Sequence, residues 1–330
     1  MFKIRNFTLP AIILATLLSC VQPESEFTYF GNMGPDHWSE HYNQCSGKHQ
    51  SPININDVDV VNRTYTEMLF ENFEKVPLEA TIFNNGHTVL VKLSYEGEIP
   101  TIAEGPLEGK GTYQFQQLHF HWGEDNTVGS EDRINDVAYP MELHVVFRNS
   151  KYDSFEEAVR RDDGVLVMAA FYEVGNYTNY EYENLTTHIE LIQEPHTNTT
   201  LNETMDLWSL LPKDLNGYYT YIGSLTTPPC SEDVIWIDFI NPIGISEDLI
   251  ERFRYLKTFD GSSLTHNFRP VQPLNNRKVY RAVPEIMKRI PDDFASEASS
   301  IKLKSAILYS LPILSILLVY FNLKTHFHIF

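Results

Sequence analysis

Two histidines one residue apart in Gln117-Leu118-His119-Phe120-His121-Trp122-Gly123, and a third in Glu142-Leu143-His144, constrain this chain more than any other feature. In an extended strand alternate side chains share a face, so His119 and His121 point the same way, roughly 6.5 to 7 Å apart along the backbone. Rings at that spacing can converge on one zinc ion at about 2.0 to 2.1 Å per nitrogen. The apolar run Met141 to Phe147 also reads as a strand, and His144 lies 23 residues beyond His121, enough chain for a turn and a neighbouring strand. The fold therefore needs a sheet in which these two strands lie side by side. Three histidines without a fourth protein ligand leave a coordination position open, which is the catalytic arrangement of zinc and not the structural one. Gln117 and Glu142 each stand two residues before a histidine and share its strand face, where they can bond its second ring nitrogen. A lone His-x-His is more often a packed pair in an aromatic-rich sheet; polar partners on both strands set this one apart.

The rest of the chain supplies such a sheet. Short apolar or alternating stretches run from Leu78 to Phe83, Thr88 to Leu93, Phe115 to Phe120, Leu143 to Phe147, Val165 to Tyr172, Tyr218 to Ile222 and Val234 to Phe239, punctuated by Gly, Pro and Asn. Helical patterns are few and short: Ser154 to Arg161, Met205 to Leu211 and Ser246 to Arg254. No Gly/Ser linker, repeat or low-complexity run divides the chain, so the pattern predicts one sheet-dominated, mixed α+β domain with short peripheral helices. With 330 residues, 42% of them hydrophobic, the chain can bury a core of that size, although composition alone also admits two smaller domains. The formal net charge of −19 argues against nucleic acid as a partner.

Both termini read as processing segments. Residues 1–20, with Lys3 and Arg5 before an apolar run from Leu9 to Leu18, have the pattern of a secretory signal peptide. Leu17-Leu18-Ser19-Cys20 also resembles a bacterial lipoprotein cleavage site, which would acylate Cys20. A domain over 21–295 is followed by 296–330, where small residues, a short polar spacer and an apolar tail broken by Pro312 suit a glycolipid (GPI) anchor signal in preference to a transmembrane helix. Either device holds the domain at the outer face of the cell membrane. Without the leader two cysteines remain, Cys45 and Cys230, a disulfide candidate in an oxidising compartment or else two buried thiols. Asn-x-Thr sequons at Asn62, Asn176, Asn184, Asn198 and Asn202 fit the same route, and the last four mark Asn176 to Asn202 as a surface excursion.

Seven stretches, the two histidine motifs among them, carry a resemblance to a known family: Tyr29 to Trp38 (YFGNMGPDHW), Gln50 to Ile55 (QSPINI), Asn84 to His87 (NNGH), Gln117 to Gly123 (QLHFHWG), Glu142 to His144 (ELH), Gly223 to Pro229 (GSLTTPP) and Asn267 to Leu274 (NFRPVQPL). In this order they resemble the α-class carbonic anhydrases over residues 27 to 283. The resemblance implies a central, mostly antiparallel sheet of about ten strands, a zinc cofactor, carbon dioxide and bicarbonate as the substrate pair, and sulfonamide inhibitors. It makes His119, His121 and His144 the zinc ligands, supported by Gln117, Glu142 and Asn267. It makes Thr226 a donor to Glu131, so that the Thr226 oxygen orients the attacking hydroxide. His87 matches the family's proton shuttle, with Tyr29, Asn85 and Thr227 ordering the connecting waters. Val146, Val167, Leu225, Val234 and Trp236 match the apolar wall for carbon dioxide, Thr226 and Thr227 also touching substrate. Cys45 and Cys230 match the disulfide of extracellular members. One position departs: Asp132 follows Glu131 where the family usually has His, and a carboxylate near Glu142 and Tyr221 would repel Glu142 or share a proton with it. The competing function is a catalytically silent, carbonic-anhydrase-like binding or adhesion domain. Such relatives typically lack one or more ligand histidines, and all three are present here. A zinc protease lacks support, because no His-Glu-x-x-His helix occurs.

Overall fold

The computed structural model describes residues 27–283. Residues 1–20, read as a signal peptide and including Cys20, and residues 296–330, read as an anchor signal, lie outside the described residues. Twelve strands form one sheet: β1 (Val61–Arg63), β2 (Met68–Glu71), β3 (Glu79–Asn84), β4 (Val89–Ser94), β5 (Thr101–Glu104), β6 (Tyr113–Trp122), β7 (Met141–Asn149), β8 (Val165–Val174), β9 (Thr197–Thr200), β10 (Tyr218–Ser224), β11 (Glu232–Ile245) and β12 (Tyr280–Ala282). The spatial order is β9-β3-β4-β6-β7-β8-β11-β10-β12-β1, with β2 paired to β5 and β5 to β6. Only β8 with β11 and β12 with β1 run parallel in this sheet, so the mostly antiparallel expectation holds with two more strands than anticipated. A separate parallel pair joins Asn54–Ile55 to Arg133–Ile134.

Every stretch read as a strand is one. The central strands β7 and β8 are buried on both faces, which is why they read as continuous apolar runs and not as alternating ones. Alternation sorts the faces. Leu118, Phe120 and Trp122 of β6 with Leu143, Val145 and Phe147 of β7 join the large core on one side. His119, His121, His144 and Val146 therefore emerge on the other side, above a smaller apolar cluster that includes Val167, Ala169 and Trp236.

The helices are α1 (Trp38–His41), α2 (Phe155–Ala158), α3 (Tyr180–Thr187) and α4 (Glu247–Phe253). Two of the anticipated helices form: α2, whose N-cap Ser154 accepts from Glu157 N at 3.1 Å, and α4. The helix read at Met205 to Leu211 reduces to one 3-10 turn, Trp208–Leu210. The stretch from Asn176 to Asn202 is more than a surface excursion, for it contains both α3 and β9. Its helix starts at the Asn179 cap and buries Tyr182, Leu185 and Thr186, and the Tyr182 hydroxyl is tied to Tyr172 at 2.6 Å and to Leu210 O at 2.9 Å. Among the described residues no helix is long and apolar enough to cross a membrane.

Candidate metal centre

The pairing of β6 with β7 sets His119 directly opposite His144, and His121 opposite Glu142. The ring centroids lie 5.1 Å apart for His119 and His121, 5.2 Å for His119 and His144, and 4.5 Å for His121 and His144. One nitrogen from each ring falls within 4.8 Å of the others, and among the described residues no second such group of His, Cys, Asp or Glu occurs.

Which nitrogen faces inward is decided by the opposite one. His119 Nδ1 bonds Gln117 Oε1 at 3.0 Å, His121 Nδ1 bonds Asn267 O at 2.7 Å, and His144 Nε2 bonds Glu142 Oε1 at 2.6 Å. All three partners are acceptors, so they place the ring protons there and leave Nε2 of His119, Nε2 of His121 and Nδ1 of His144 as bare lone pairs. Burial holds all three rings well below the usual histidine range, His144 at about 3, with the neighbouring imidazoles adding to the effect on His119 and His121. Neutral rings are the form a metal requires. His121 Nε2 is buried without any hydrogen-bond partner, and so is Glu131 Oε2, 3.4 Å away. An orphaned lone pair converging with two others fits a zinc ion with three imidazole ligands and an open position.

Beside the imidazoles, Glu131 is fully enclosed. Its Oε1 accepts from Arg269 N at 2.7 Å, and burial raises its carboxyl well above the ordinary range, opposed by hydrogen bonding from Thr226. Thr226 lies in the loop after β10, where Leu225 N donates to Ser231 O and Cys230 N to Thr227 O, each at 2.9 Å. Cys230 is bonded to Cys45, their Cα atoms 4.9 Å apart, so the bridge braces the turn that carries Thr226 and the half-buried Thr227.

The apolar wall follows from register. Gln117, Val146, Val167, Trp236 and Tyr221 are cross-strand partners in a single row, and His119, His144, Ala169, Asp238 and Tyr219 form the next. Val146, Val167, Val234 and Trp236 are all buried in the smaller cluster with Leu225 against them, and the Trp236 ring stands 4.9 Å from His144.

His87 occupies the turn between β3 and β4. Asn85 Oδ1 accepts from His87 N and Thr88 N, so that oxygen is taken up by the turn. Gly86 has φ of 84°, and a Cβ there would fall 2.2 Å from the Phe259 ring, so only glycine lets Phe259 approach His87. The His87 ring stacks on Phe27 at 4.0 Å with Phe259 at 5.3 Å and Tyr29 at 6.4 Å. Burial, aided by His196, lowers its pKa from 6.5 to about 4, a departure from the near-neutral titration anticipated for a shuttle. Tyr29 itself is buried, its hydroxyl pushed well above its usual value by burial and by Glu131.

Asp132 sits where the sequence places it, near Glu142 and Tyr221. Its Oδ1 accepts from Ile53 N at 2.6 Å and from the Tyr221 hydroxyl at 3.2 Å, while its own N–H donates to Glu142 Oε2 at 3.0 Å. The two carboxyl groups are thus linked through the Asp132 main chain. Two residues of this neighbourhood went unread. Arg269 is 2% exposed and joins Gln50 Oε1, Ser51 O and Cys45 O while its N–H holds Glu131. Asp238 is fully buried with neither oxygen bonded, its carboxyl raised by burial and then by Asp132 and Glu142. An acid inside the apolar run Val234 to Phe239 was the available signal for Asp238; Arg269 offered none beyond its place in the Asn267 to Leu274 stretch.

A sheet that converges three neutral imidazoles beside an apolar wall defines a mononuclear metalloenzyme with an open coordination position. Residues 33–283 match the eukaryotic-type carbonic anhydrase family, and the chain belongs to that family. It is 37% identical to human carbonic anhydrase 6 over 269 residues, covering 80% of this chain and 85% of the relative. It is 36% identical to mouse carbonic anhydrase 15 over 267 residues (78% and 82%) and 38% identical to mouse carbonic anhydrase 7 over 251 residues (74% and 93%). The protein is a zinc-dependent carbonate dehydratase that interconverts carbon dioxide and bicarbonate, and sulfonamides are its inhibitor class.

Proposed function

We propose that this chain hydrates carbon dioxide at the outer face of a cell membrane, with zinc held by Nε2 of His119, Nε2 of His121 and Nδ1 of His144. The observation that carries the site assignment is the convergence of three bare nitrogens whose opposite ring atoms are each committed to an acceptor. When bound, zinc acidifies a water to a pKa of about 7, for which carbonic anhydrase is itself the reference case. Thr226, its hydroxyl proton engaged by Glu131, has only lone pairs to offer the nucleophile and so accepts from it in one orientation. Glu131 is kept in place by the Arg269 N–H. Val146, Val167, Leu225, Val234 and Trp236 receive the apolar substrate, which needs no charged clamp. His87 passes the released proton to buffer. In its stacked position it is a weak base, so shuttling requires the ring to exchange with a better hydrated position away from Phe27. The Cys45–Cys230 disulfide and the exposed sequons support a secretory route, and residues 296–330 supply the anchor, a glycolipid in preference to a helix.

Purified full-length protein is expected to carry one zinc per chain and to hydrate carbon dioxide in stopped flow, and His119→Ala to lose both tight metal binding and turnover. Stoichiometric zinc without turnover would hand the chain to the binding-domain alternative. Mass spectrometry of the mature carboxyl terminus, before and after phospholipase treatment, separates lipid anchor from helix.

A further inference from the structure

Two edges of the sheet end on a glycosylation sequon. β9 is outermost on one side and β1 on the other, and they contain Asn198 and Asn62, both exposed. The ladder shows which backbone groups are unpaired. Leu201 N donates to Ala80 O at 2.8 Å, and successive strand residues turn their N–H and C=O to opposite sides, so Thr199 faces β3 while Asn198 and Thr200 face outward. At the other edge Val61 N donates to Val279 O at 2.9 Å and Arg63 O accepts from Val283 N at 3.0 Å, which directs the main chain of Asn62 outward. Each sequon asparagine is therefore a residue whose own N–H and C=O have no partner strand among the described residues. β9, Thr-Asn-Thr-Thr, is uncharged and rich in β-branched residues, a composition suited to strand addition. The third open strand, β2, is bracketed instead by the exposed carboxylates of Glu67 and Glu71. Asn176 and Asn202 lie in loops.

We propose that N-linked glycans on Asn62 and Asn198 guard these two edges, blocking edge-to-edge pairing of the sheet with a second copy of this chain. The inference rests on the secretory reading above. In the modification the asparagine Nδ2 bonds the anomeric carbon of a lipid-linked oligosaccharide, that carbon's bond to the lipid pyrophosphate breaks, and an amide proton is released. A bulky sugar at the residue whose backbone is unpaired keeps a second strand from reaching it.

The full chain, made in a eukaryotic secretory host and purified in mild detergent, tests this by glycopeptide mass spectrometry for occupancy and size exclusion with light scattering for mass. Asn62→Gln with Asn198→Gln, and independently Thr64→Ala with Thr200→Ala, are compared with Asn176→Gln plus Asn202→Gln. Both edge variants are expected to show at least a threefold larger fraction of dimers and higher species than wild type and the loop variant, with unchanged hydratase activity in the monomer peak. Enzymatic removal of glycans from folded wild type should produce the same shift. Edge variants that stay monomeric after losing occupied glycans overturn the edge-guard role. Bare Asn62 and Asn198 in wild type would instead overturn glycosylation at these sites, an outcome the mass measurement identifies separately.

Discussion

Asp238 buries a carboxyl with neither oxygen bonded, one strand beyond Ala169 on the face that carries His144. It and Asp132 keep their protons to a higher pH in the folded chain than in the unfolded one. Their contribution is therefore full below the ordinary carboxylate range and lost as pH rises through the raised folded values. Asp238→Val removes an unsatisfied buried acid, a gain of about 1–3 kcal/mol, or roughly 2–10 °C in Tm. The gain should be larger at pH 8 than at pH 5 in thermal melts; equal gains would mean the acid is not protonated by burial. At His87, Phe27→Ala opens the stacked face and should move the ring from about 4 toward 6.5 in an NMR titration. His87→Ala should slow turnover in dilute buffer and recover with added imidazole. His119, His121, His144, Gln117 and Glu142 were legible because period-two alternation is local. Arg269 was not, because it reaches Glu131 through its main-chain N–H, which every residue possesses.

At the scale of elements, the one fact the centre needs is the register of β6 against β7, and apolar alternation on both strands selects it. A slip by one residue would turn the histidines into the core and Leu143 or Leu118 out of it. Helix α3 shows the opposite case. Its apolar positions are spaced among Asn, Thr and Glu, so local composition resembles a loop, yet Leu185 is fully buried. Leu185→Ala should cost about 2–5 kcal/mol in denaturant unfolding, whereas a solvated loop would lose almost nothing. The same helix bears on modification. Asn184 is half-buried and its amide donates to Glu203 O at 2.6 Å, so glycopeptide analysis should find it less occupied than the exposed Asn176 and Asn202.

For the molecule as a whole, the Cys45–Cys230 bridge spans 185 residues and ties the amino-terminal segment to the turn that carries Thr226. Closing so long a loop restricts the unfolded chain strongly, by up to about 5 kcal/mol in the chain-entropy description. Cys45→Ser with Cys230→Ser should lower the guanidinium midpoint accordingly and reduce kcat more than zinc content, since the turn and not the metal loses its brace. Zinc removal by a chelator should lower Tm through the lost binding energy and restore it on re-addition.

From sequence alone came the metal chemistry, the sheet that presents it and the family, because donor types, strand period and short motifs are written in neighbouring residues. Only the tertiary structure decided which nitrogen of each histidine is bare, since the partner of His121 is a carbonyl 146 residues away. It also decided that Asp238 is entombed, that His87 lies against Phe27, and that Asn62 and Asn198 sit on open edges. Burial, stacking and edge position are relations between distant segments, and they exist only once long-range register has brought those segments together.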